Sequence, residues 1–140
     1  MFPEGLSIDA LNEIGKNTMF DAIGIRILEV GTDYIKGSMP VNEKTKQPMG
    51  LLHGGASVAF AETLGSIAST LLIDMGKKAP VGIEINANHI KSAREGLVYG
   101  IVRPLHVGSR THVWEIRITD EQERLICISR LTTSIIDQKH

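Results

Sequence analysis

A single carboxylate stands in a long apolar segment of this chain. Between Ala56 and Ile73 all residues are apolar or small except Glu62, the only ionisable side chain of the segment. Burying a lone carboxylate is costly and shifts it toward its neutral form unless a partner compensates. A carboxylate retained in such a segment indicates chemistry, as a nucleophile or a general base. The alternative is a structural acid satisfied by backbone amides at a subunit boundary.

The segment His53-Gly54-Gly55 precedes Glu62 by about two helical turns. If this segment begins a helix, free N–H groups lie there in a partly positive potential. Such donors stabilise the oxyanion that forms when an acyl group is attacked. The acid and the amides together therefore predict acyl transfer. The glycines alone could equally serve only to form the turn into the helix.

Three other polar side chains have both a functional and an ordinary interpretation. Ser66 lies one turn after Glu62 and could hold a water, or it could bond the carbonyl four residues earlier. His89 projects from the apolar face of a predicted strand, where a satisfied core histidine is the common case. Gln47 lies in a polar loop and by itself would be a solvated amide.

Other chemistry-bearing motifs are absent from the sequence. No Gly-x-Ser-x-Gly motif supports a serine hydrolase, no paired His or Cys-x-x-Cys spacing supports zinc, and no glycine-rich nucleotide loop occurs. The single cysteine, Cys127, lies among apolar residues; it excludes an internal disulfide and reads as a small core residue.

Length and composition predict one domain over residues 1–140, large enough for a hydrophobic core. Hydrophobic residues make up 42% and charged residues 22%, which excludes a disordered or membrane-embedded chain. A net charge of −1 argues against binding to nucleic acid or to an anionic membrane. No signal peptide is visible at the start of the sequence, so we expect a cytoplasmic protein.

Hydrophobic periodicity predicts an α+β fold with an antiparallel sheet. A minor helix, two strands and a long helix are followed by four strands. The expected bounds are Ser7–Ile14 for the minor helix, Gly24–Val30 and Tyr34–Val41 for the strands and Gly54–Leu72 for the long helix. The later strands are expected at Val81–Ile90, at Gly96–Leu105 with a break near Pro104, at Thr111–Thr119 and at Leu125–Ile136.

The long helix is apolar on nearly all sides, so it should be buried on all sides. One sheet can wrap most of it, and a second subunit would cover the rest. The sequence therefore predicts a dimer. Helical periodicity also suggests that Val58, Phe60 and Leu64 line a tunnel for the acyl group.

The run Gly50-Leu51-Leu52-His53-Gly54-Gly55, followed by Glu62, resembles the acyl-CoA thioesterases of the 4-hydroxybenzoyl-CoA type that carry a helical glutamate. Other segments are similar to the bacterial 1,4-dihydroxy-2-naphthoyl-CoA thioesterases of menaquinone synthesis: Thr45–Pro48, Val81–His89, Ser92–Gly96, Pro104–Arg110 and Ser129–Thr133. The resemblance extends from about Ile8 onward. It implies the hotdog fold, in which an antiparallel sheet wraps one long helix.

The resemblance also implies hydrolysis of an acyl-CoA thioester, with an aromatic acyl group favoured. Glu62 would be the nucleophile or general base, and the Gly54 N–H would polarise the carbonyl. Gln47 would reach the site across a dimer interface, Ser66 would hold the attacking water, and His53 would donate to the substrate or brace its loop. No cofactor is implied, because coenzyme A is part of the substrate.

Contacts with coenzyme A are implied by the same resemblance in three segments. These are Gly82, then His89, Ile90, Lys91, Ser92 and Arg94, and finally His106, Val107, Gly108, Ser109, Arg110 and Thr111. The cations among them suit the nucleotide phosphates. We expect a homodimer that pairs further into a homotetramer.

Three alternatives remain open at the level of sequence. The acyl group could be carried by an acyl carrier protein instead of coenzyme A, through the same phosphopantetheine arm. A hydratase of the same fold would keep the thioester intact, although its usual histidine motif is not seen. A non-catalytic acyl-CoA binding module is disfavoured by Glu62, Gln47 and Ser66.

Overall fold

The computed structural model describes residues 1–139 and has the expected order of elements. Helix α1 is followed by an additional short helix, α2, that the periodicity did not predict. The bounds are α1 Ile8–Glu13, α2 Met19–Ala22, β1 Arg26–Val30, β2 Ile35–Pro40, α3 Gly54–Thr70, β3 Lys78–His89, β4 Leu97–Val107, β5 Thr111–Thr119 and β6 Leu125–Asp137. The α+β class is thereby confirmed.

The six strands form one antiparallel sheet in the order β1-β2-β4-β5-β6-β3. Strand β3 is an edge strand of 12 residues that pairs on one side only, with β6. A bulge between Gly82 and Glu84 shifts its register. The break expected near Pro104 takes the form of a bulge between Pro104 and His106, which tolerates the missing N–H, and β4 continues beyond it to Val107 instead of ending at Leu105.

Helix α3 packs its broad apolar face against the concave side of the sheet. Phe60 and Leu64 are fully buried there. A Cβ on Gly37 or Gly100 would lie only 2.8 or 2.6 Å from Leu64, so these glycines let the helix approach the strands. The prediction that Phe60 and Leu64 line a substrate tunnel is therefore wrong; both fill the space between helix and sheet.

The opposite face of α3 is only half-buried within one chain. It consists of Val58, Ala59, Glu62, Thr63, Ser66 and Thr70. The helix is thus wrapped by the sheet on one side and left partly open on the other. Among residues 1–139, no helix is long and apolar enough to cross a membrane.

Candidate active site

The first turn of α3 leaves one backbone donor unpaired. His53 is the N-cap residue, and its Nδ1 accepts a hydrogen bond from the Gly55 N–H at 2.8 Å. The His53 carbonyl accepts from the N–H groups of Ala56 and Ser57 at 3.0 and 3.2 Å. Within residues 1–139 the Gly54 N–H has no partner. A free donor therefore stands at the positive end of a 17-residue helix.

Gly54 lies in the wall of a cavity of about 330 Å³. A Cβ at this position would lie 2.9 Å from His89 Nε2, so glycine lets the imidazole of His89 lie directly against the start of the helix. The cavity is lined by Gln47, Leu51, Leu52, Gly54, Ser57, His89, Ile90, Lys91, Ser92 and Ile126. We call Gln47, His53, Gly54 and His89–Ser92 the amide half-site.

Gln47 braces its own loop and keeps donors free. Its Oε1 accepts hydrogen bonds from the N–H groups of Met49 and Leu51 at 2.5 and 3.4 Å. The side-chain nitrogen has no hydrogen-bond partner among the described residues. Gln47 can therefore donate into the cavity that it shares with Gly54.

Glu62 lies on the half-buried face of α3, in a different groove of about 470 Å³. Its carboxylate makes no hydrogen bond or ion pair within residues 1–139, so no amide of its own chain in this range satisfies it. Its Oε2 is 3.1 Å from the position that a Cβ of residue 82 would occupy, and Gly82 thus lets the edge strand pass close to the carboxylate. The carboxylate therefore faces the groove without a partner among residues 1–139.

Ser66 faces the same groove as Glu62. The neighbouring hydroxyls of Thr63 and Thr70 donate to the carbonyls of Ala59 and Ser66, four residues earlier, at 2.7 and 2.9 Å. The Ser66 hydroxyl makes no such bond and has no hydrogen-bond partner in the part of the chain that the structure describes. Its hydroxyl is therefore available to a water or a substrate.

The turn at His106–Thr111 lies at the same end of the sheet as Gly82. Thr111 pairs with Ser134 of β6, and Ser134 in turn pairs with Val81. Ser109 and Arg110 are exposed at this turn. We call Glu62, Ser66, Gly82 and the loop His106–Thr111 the carboxylate half-site.

Within one chain the two half-sites are well separated. Gly54 and Glu62 are eight residues apart, about 12 Å along the helix axis at 1.5 Å per residue. Gly82 and His89 are roughly 20 Å apart along β3 at about 3.3 Å per residue. The cavity at Gly54 and the groove at Glu62 share no lining residue. One chain therefore does not bring all the predicted site residues together.

Arg94 lies apart from both half-sites. It lines a surface cavity formed by residues 92–96 and the turn between β5 and β6, where Asp120, Glu121, Gln122 and Arg124 also lie. Asp120 accepts a hydrogen bond from Arg124 Nε at 2.8 Å. Only Ser92 belongs to this cavity and to the cavity at Gly54.

Helix α2 contributes residues to the Glu62 groove that sequence reasoning missed. Met19 and Phe20 of α2, with Ile14 and Thr18, form the wall opposite α3. Met19 and Ile14 are 63% and 62% exposed and give the groove an apolar rim. Thr18 before Met19 was a weak signal for a helix start, but four residues are too few for a periodicity.

Two further observations concern the thiol of Cys127 and the presence of a metal-binding cluster. Cys127 is fully buried, and burial raises the pKa of its thiol, which supports a core role. No group of three or more His, Cys, Asp or Glu side chains in residues 1–139 is arranged to hold a metal ion.

Comparison with known proteins gives consistent matches over most of the chain. Residues 49–127 match the thioesterase superfamily. The 1,4-dihydroxy-2-naphthoyl-CoA hydrolase of Escherichia coli is 52% identical over 94% of this chain and 96% of its own length. The proofreading thioesterase EntH of Cronobacter sakazakii is 46% identical over 94% of this chain and 95% of its own.

Solved structures agree with these sequence matches. A mutant thioesterase from Pseudomonas aeruginosa superposes with a TM-score of 0.95 at 41% identity, over 98% of this chain and 99% of the other. A thioesterase from Haemophilus influenzae superposes with a TM-score of 0.94 at 41% identity, over 99% and 97%. The fold similarity thus extends over nearly the full length of each of these two enzymes.

Proposed function

Because this chain belongs to the thioesterase superfamily, has the hotdog fold and is a thioester hydrolase, we propose that it cleaves an aromatic acyl-CoA to the free acid and coenzyme A. The 1,4-dihydroxy-2-naphthoyl and benzoyl groups are the favoured acyl groups. The similarity to a 1,4-dihydroxy-2-naphthoyl-CoA hydrolase supports this substrate class. Hydrolysis of 1,4-dihydroxy-2-naphthoyl-CoA would place the enzyme in menaquinone synthesis, in the cytoplasm.

The observation that carries the proposal is the groove at Glu62. The Glu62 carboxylate and the Ser66 hydroxyl, both without a partner among the described residues, line it together with the apolar side chains of Ile14, Met19, Phe20 and Ile67. Its volume of about 470 Å³ lies in the usual range for small-molecule sites. An aromatic acyl group fits such a wall beside an attacking carboxylate.

We further propose that a second copy of the chain completes the active site. A reacting carbonyl needs its oxygen near the Gly54 N–H and its carbon near Glu62 or a water that Glu62 activates. Within one chain these groups line separate cavities about 12 Å apart along the helix. A dimer in which each Glu62 meets the Gly54 of the other copy satisfies both requirements.

Strand β3 supplies the surface on which such a dimer can form. It is a long edge strand, and Val81 and Ile83 are 42% and 61% exposed on it. Unpaired strand edges with apolar side chains favour pairing with another chain. Antiparallel pairing of two β3 strands about Asn86 would set the bulge at Gly82 and Ile83 opposite His89 of the other copy. Since Gly82 lies beside Glu62 and His89 beside Gly54, this register joins the two half-sites.

The chemistry then follows from the groups that meet. The Gly54 N–H donates to the thioester oxygen and stabilises the charge that develops on it, an effect worth roughly 3 kcal/mol in the barrier. Glu62 either attacks the carbonyl carbon, expels the coenzyme A thiolate and forms an anhydride that water cleaves, or takes a proton from a water held by Ser66. The pantetheine arm would lie along His89–Ser92, and the nucleotide would reach the loop His106–Thr111 of the other copy.

A thiol-release screen tests the substrate class. The protein would be assayed with benzoyl-CoA, 1,4-dihydroxy-2-naphthoyl-CoA, fatty acyl-CoA esters and a benzoyl carrier protein. We expect kcat/KM for the aromatic CoA esters to exceed that for fatty acyl esters by at least about tenfold, as a shape-matched apolar pocket gives. Preference for the carrier protein, an altered acyl chain still attached to thiol, or binding without thiol release would contradict the proposal.

A disulfide test addresses the dimer. With β3 strands paired about Asn86, the Cβ atoms of residue 86 in the two copies are about 5 Å apart, so Asn86→Cys should form a covalent dimer under mild oxidation. Non-reducing electrophoresis gives the yield. Asn88→Cys is the matched control, because residue 88 of one copy would lie about 13 Å from residue 88 of the other. A covalent dimer of the Asn88→Cys variant but not of the Asn86→Cys variant, or a protein that is monomeric in solution, would exclude this register.

A further inference from the structure

A buried polar cluster joins the C-terminal half of α3 to the sheet. Ser69 Oγ accepts a hydrogen bond from Trp114 Nε1 at 2.8 Å and lies 2.9 Å from His112 Nδ1 and 3.0 Å from Thr133 Oγ1. All four side chains are at most 2% exposed. The four are hydrogen-bonded to one another, which offsets the cost of burying their polar atoms.

The core does not need a histidine in this cluster. Trp114 has one donor, and Ser69 already accepts it. The Ser69 hydroxyl has Thr133 as a second partner. Burial lowers the pKa of His112, so the buried imidazole is kept neutral, and an apolar ring would fill the same space without desolvating two nitrogens.

His112 stands at the base of the loop between β4 and β5. It pairs with Val107 of β4, so these two residues close the loop. Within the loop the Gly108 N–H donates to the Thr111 carbonyl at 2.9 Å, and the Arg110 carbonyl accepts from the Ile135 N–H at 2.8 Å. The loop backbone is thus held at its base and by these two bonds while the side chains of Ser109 and Arg110 remain exposed. The base is itself bonded to the helix of Glu62, through the His112 imidazole and Ser69.

We infer that His112 is a positioning residue that fixes the loop Gly108–Arg110 relative to helix α3 and so sets the enzyme's affinity for the nucleotide end of its substrate. The inference rests on the proposed function, in which this loop receives the nucleotide of the other copy's substrate. Arg110 can bind a phosphate well only if its backbone is held in place, because ordering a free loop on binding reduces affinity. His112 does not touch the reacting atoms.

The test compares two thioesters with the same acyl group. Benzoyl-CoA carries the nucleotide, and benzoyl-pantetheine has the same reactive arm without it. We expect His112→Phe, which keeps the ring volume and removes the hydrogen bond to Ser69, to raise KM for benzoyl-CoA about tenfold, the effect of weakening one hydrogen bond to a charged group. The kcat values, and KM for benzoyl-pantetheine, should stay within about twofold of the wild type.

Two further variants keep the test decisive. Ser69→Ala removes the hydrogen-bond partner of His112 on helix α3 and should give the same selective rise in KM for benzoyl-CoA. This variant tests the inference even if His112→Phe does not fold. Ile116→Val changes a fully buried residue of the same strand and should lower the melting temperature without changing either KM. Equal changes of KM for both substrates, or no change for either, would overturn the inference.

Measurements on the wild-type enzyme distinguish failure of the inference about His112 from failure of the proposed function. Failure to cleave benzoyl-CoA and the other aromatic CoA esters would refute the proposed function, and the role of His112 would fall with it. A wild type that cleaves benzoyl-CoA and prefers it to benzoyl-pantetheine, with variants that keep the same preference, would refute the role of His112 alone. A wild type that cleaves both equally would refute nucleotide recognition by the loop.

Discussion

Replacing Glu62 by Gln should lower kcat about 10³-fold, the largest single effect that we expect in this protein. The amide keeps the size of the side chain but is neither a nucleophile nor a base. Because Glu62 makes no hydrogen bond or ion pair within residues 1–139, the substitution removes no stabilising contact, and the melting temperature should not fall. Thiol release with benzoyl-CoA and a thermal melt measure the two quantities.

The control for this substitution is Glu43→Gln. Glu43 is an exposed carboxylate in the loop after β2, so its loss changes net charge equally without touching either half-site. Its kcat should match that of the wild type. A Glu62→Gln enzyme with near-normal turnover would show that the carboxylate does not carry the reaction.

Replacing Gly54 by Pro should lower kcat about 10²-fold, as the loss of one oxyanion donor does. Proline lacks the N–H but suits the first position of a helix, and His53 already has the extended backbone (φ −67°, ψ 131°) that a following proline requires. The helix should therefore form as before. Substrate affinity should change much less than kcat, since the donor acts most strongly on the charge of the transition state.

Gly54→Ala is the matched control for the proline variant. Both substitutions add a Cβ 2.9 Å from His89 Nε2, but alanine keeps the N–H. The ratio of the two kcat values therefore isolates the donor from the steric effect on His89. Equal kcat values for the two variants would mean that the amide contributes nothing to catalysis.

Much of the fold follows from local patterns in the sequence. The alternation in Thr111–Thr119 gave the bounds of β5 correctly, and Ser7 caps α1 as expected, its Oγ accepting from the Ala10 N–H at 3.1 Å. The start of α3 at Gly54 also agrees with the prediction. These features depend on residues that are neighbours in sequence, which is why they could be predicted.

The errors arise where a distant residue decides the outcome. Phe60 and Leu64 are buried because Gly37 and Gly100, on two other strands, let that face of α3 approach the sheet. A helix that is apolar all round carries no signal of which face this will be. Likewise, Pro104 stays inside β4 because a bulge against β5 absorbs it, and a bulge depends on the register of two strands.

For the candidate site, the sequence predicts which residue types take part but not the distances between them in one chain. Glu62 and Gly54 are close in sequence, yet in one chain they line separate cavities. Strand β3 contacts the two groups at different points: Gly82 lies beside Glu62, and His89 lies beside Gly54. His112 gave no signal at all, because its partner Ser69 lies 43 residues away.

The claim that each active site combines Glu62 of one copy with Gly54 of another is tested most directly by mixing two inactive variants. Glu62→Gln and Gly54→Pro chains would be co-expressed with different tags, and the mixed dimers compared with each parent. Each mixed dimer has one site with both groups intact, so a statistical mixture should regain about a quarter of wild-type activity. Activity no higher than the average of the two parents, with mixed dimers demonstrably present, would contradict a shared site.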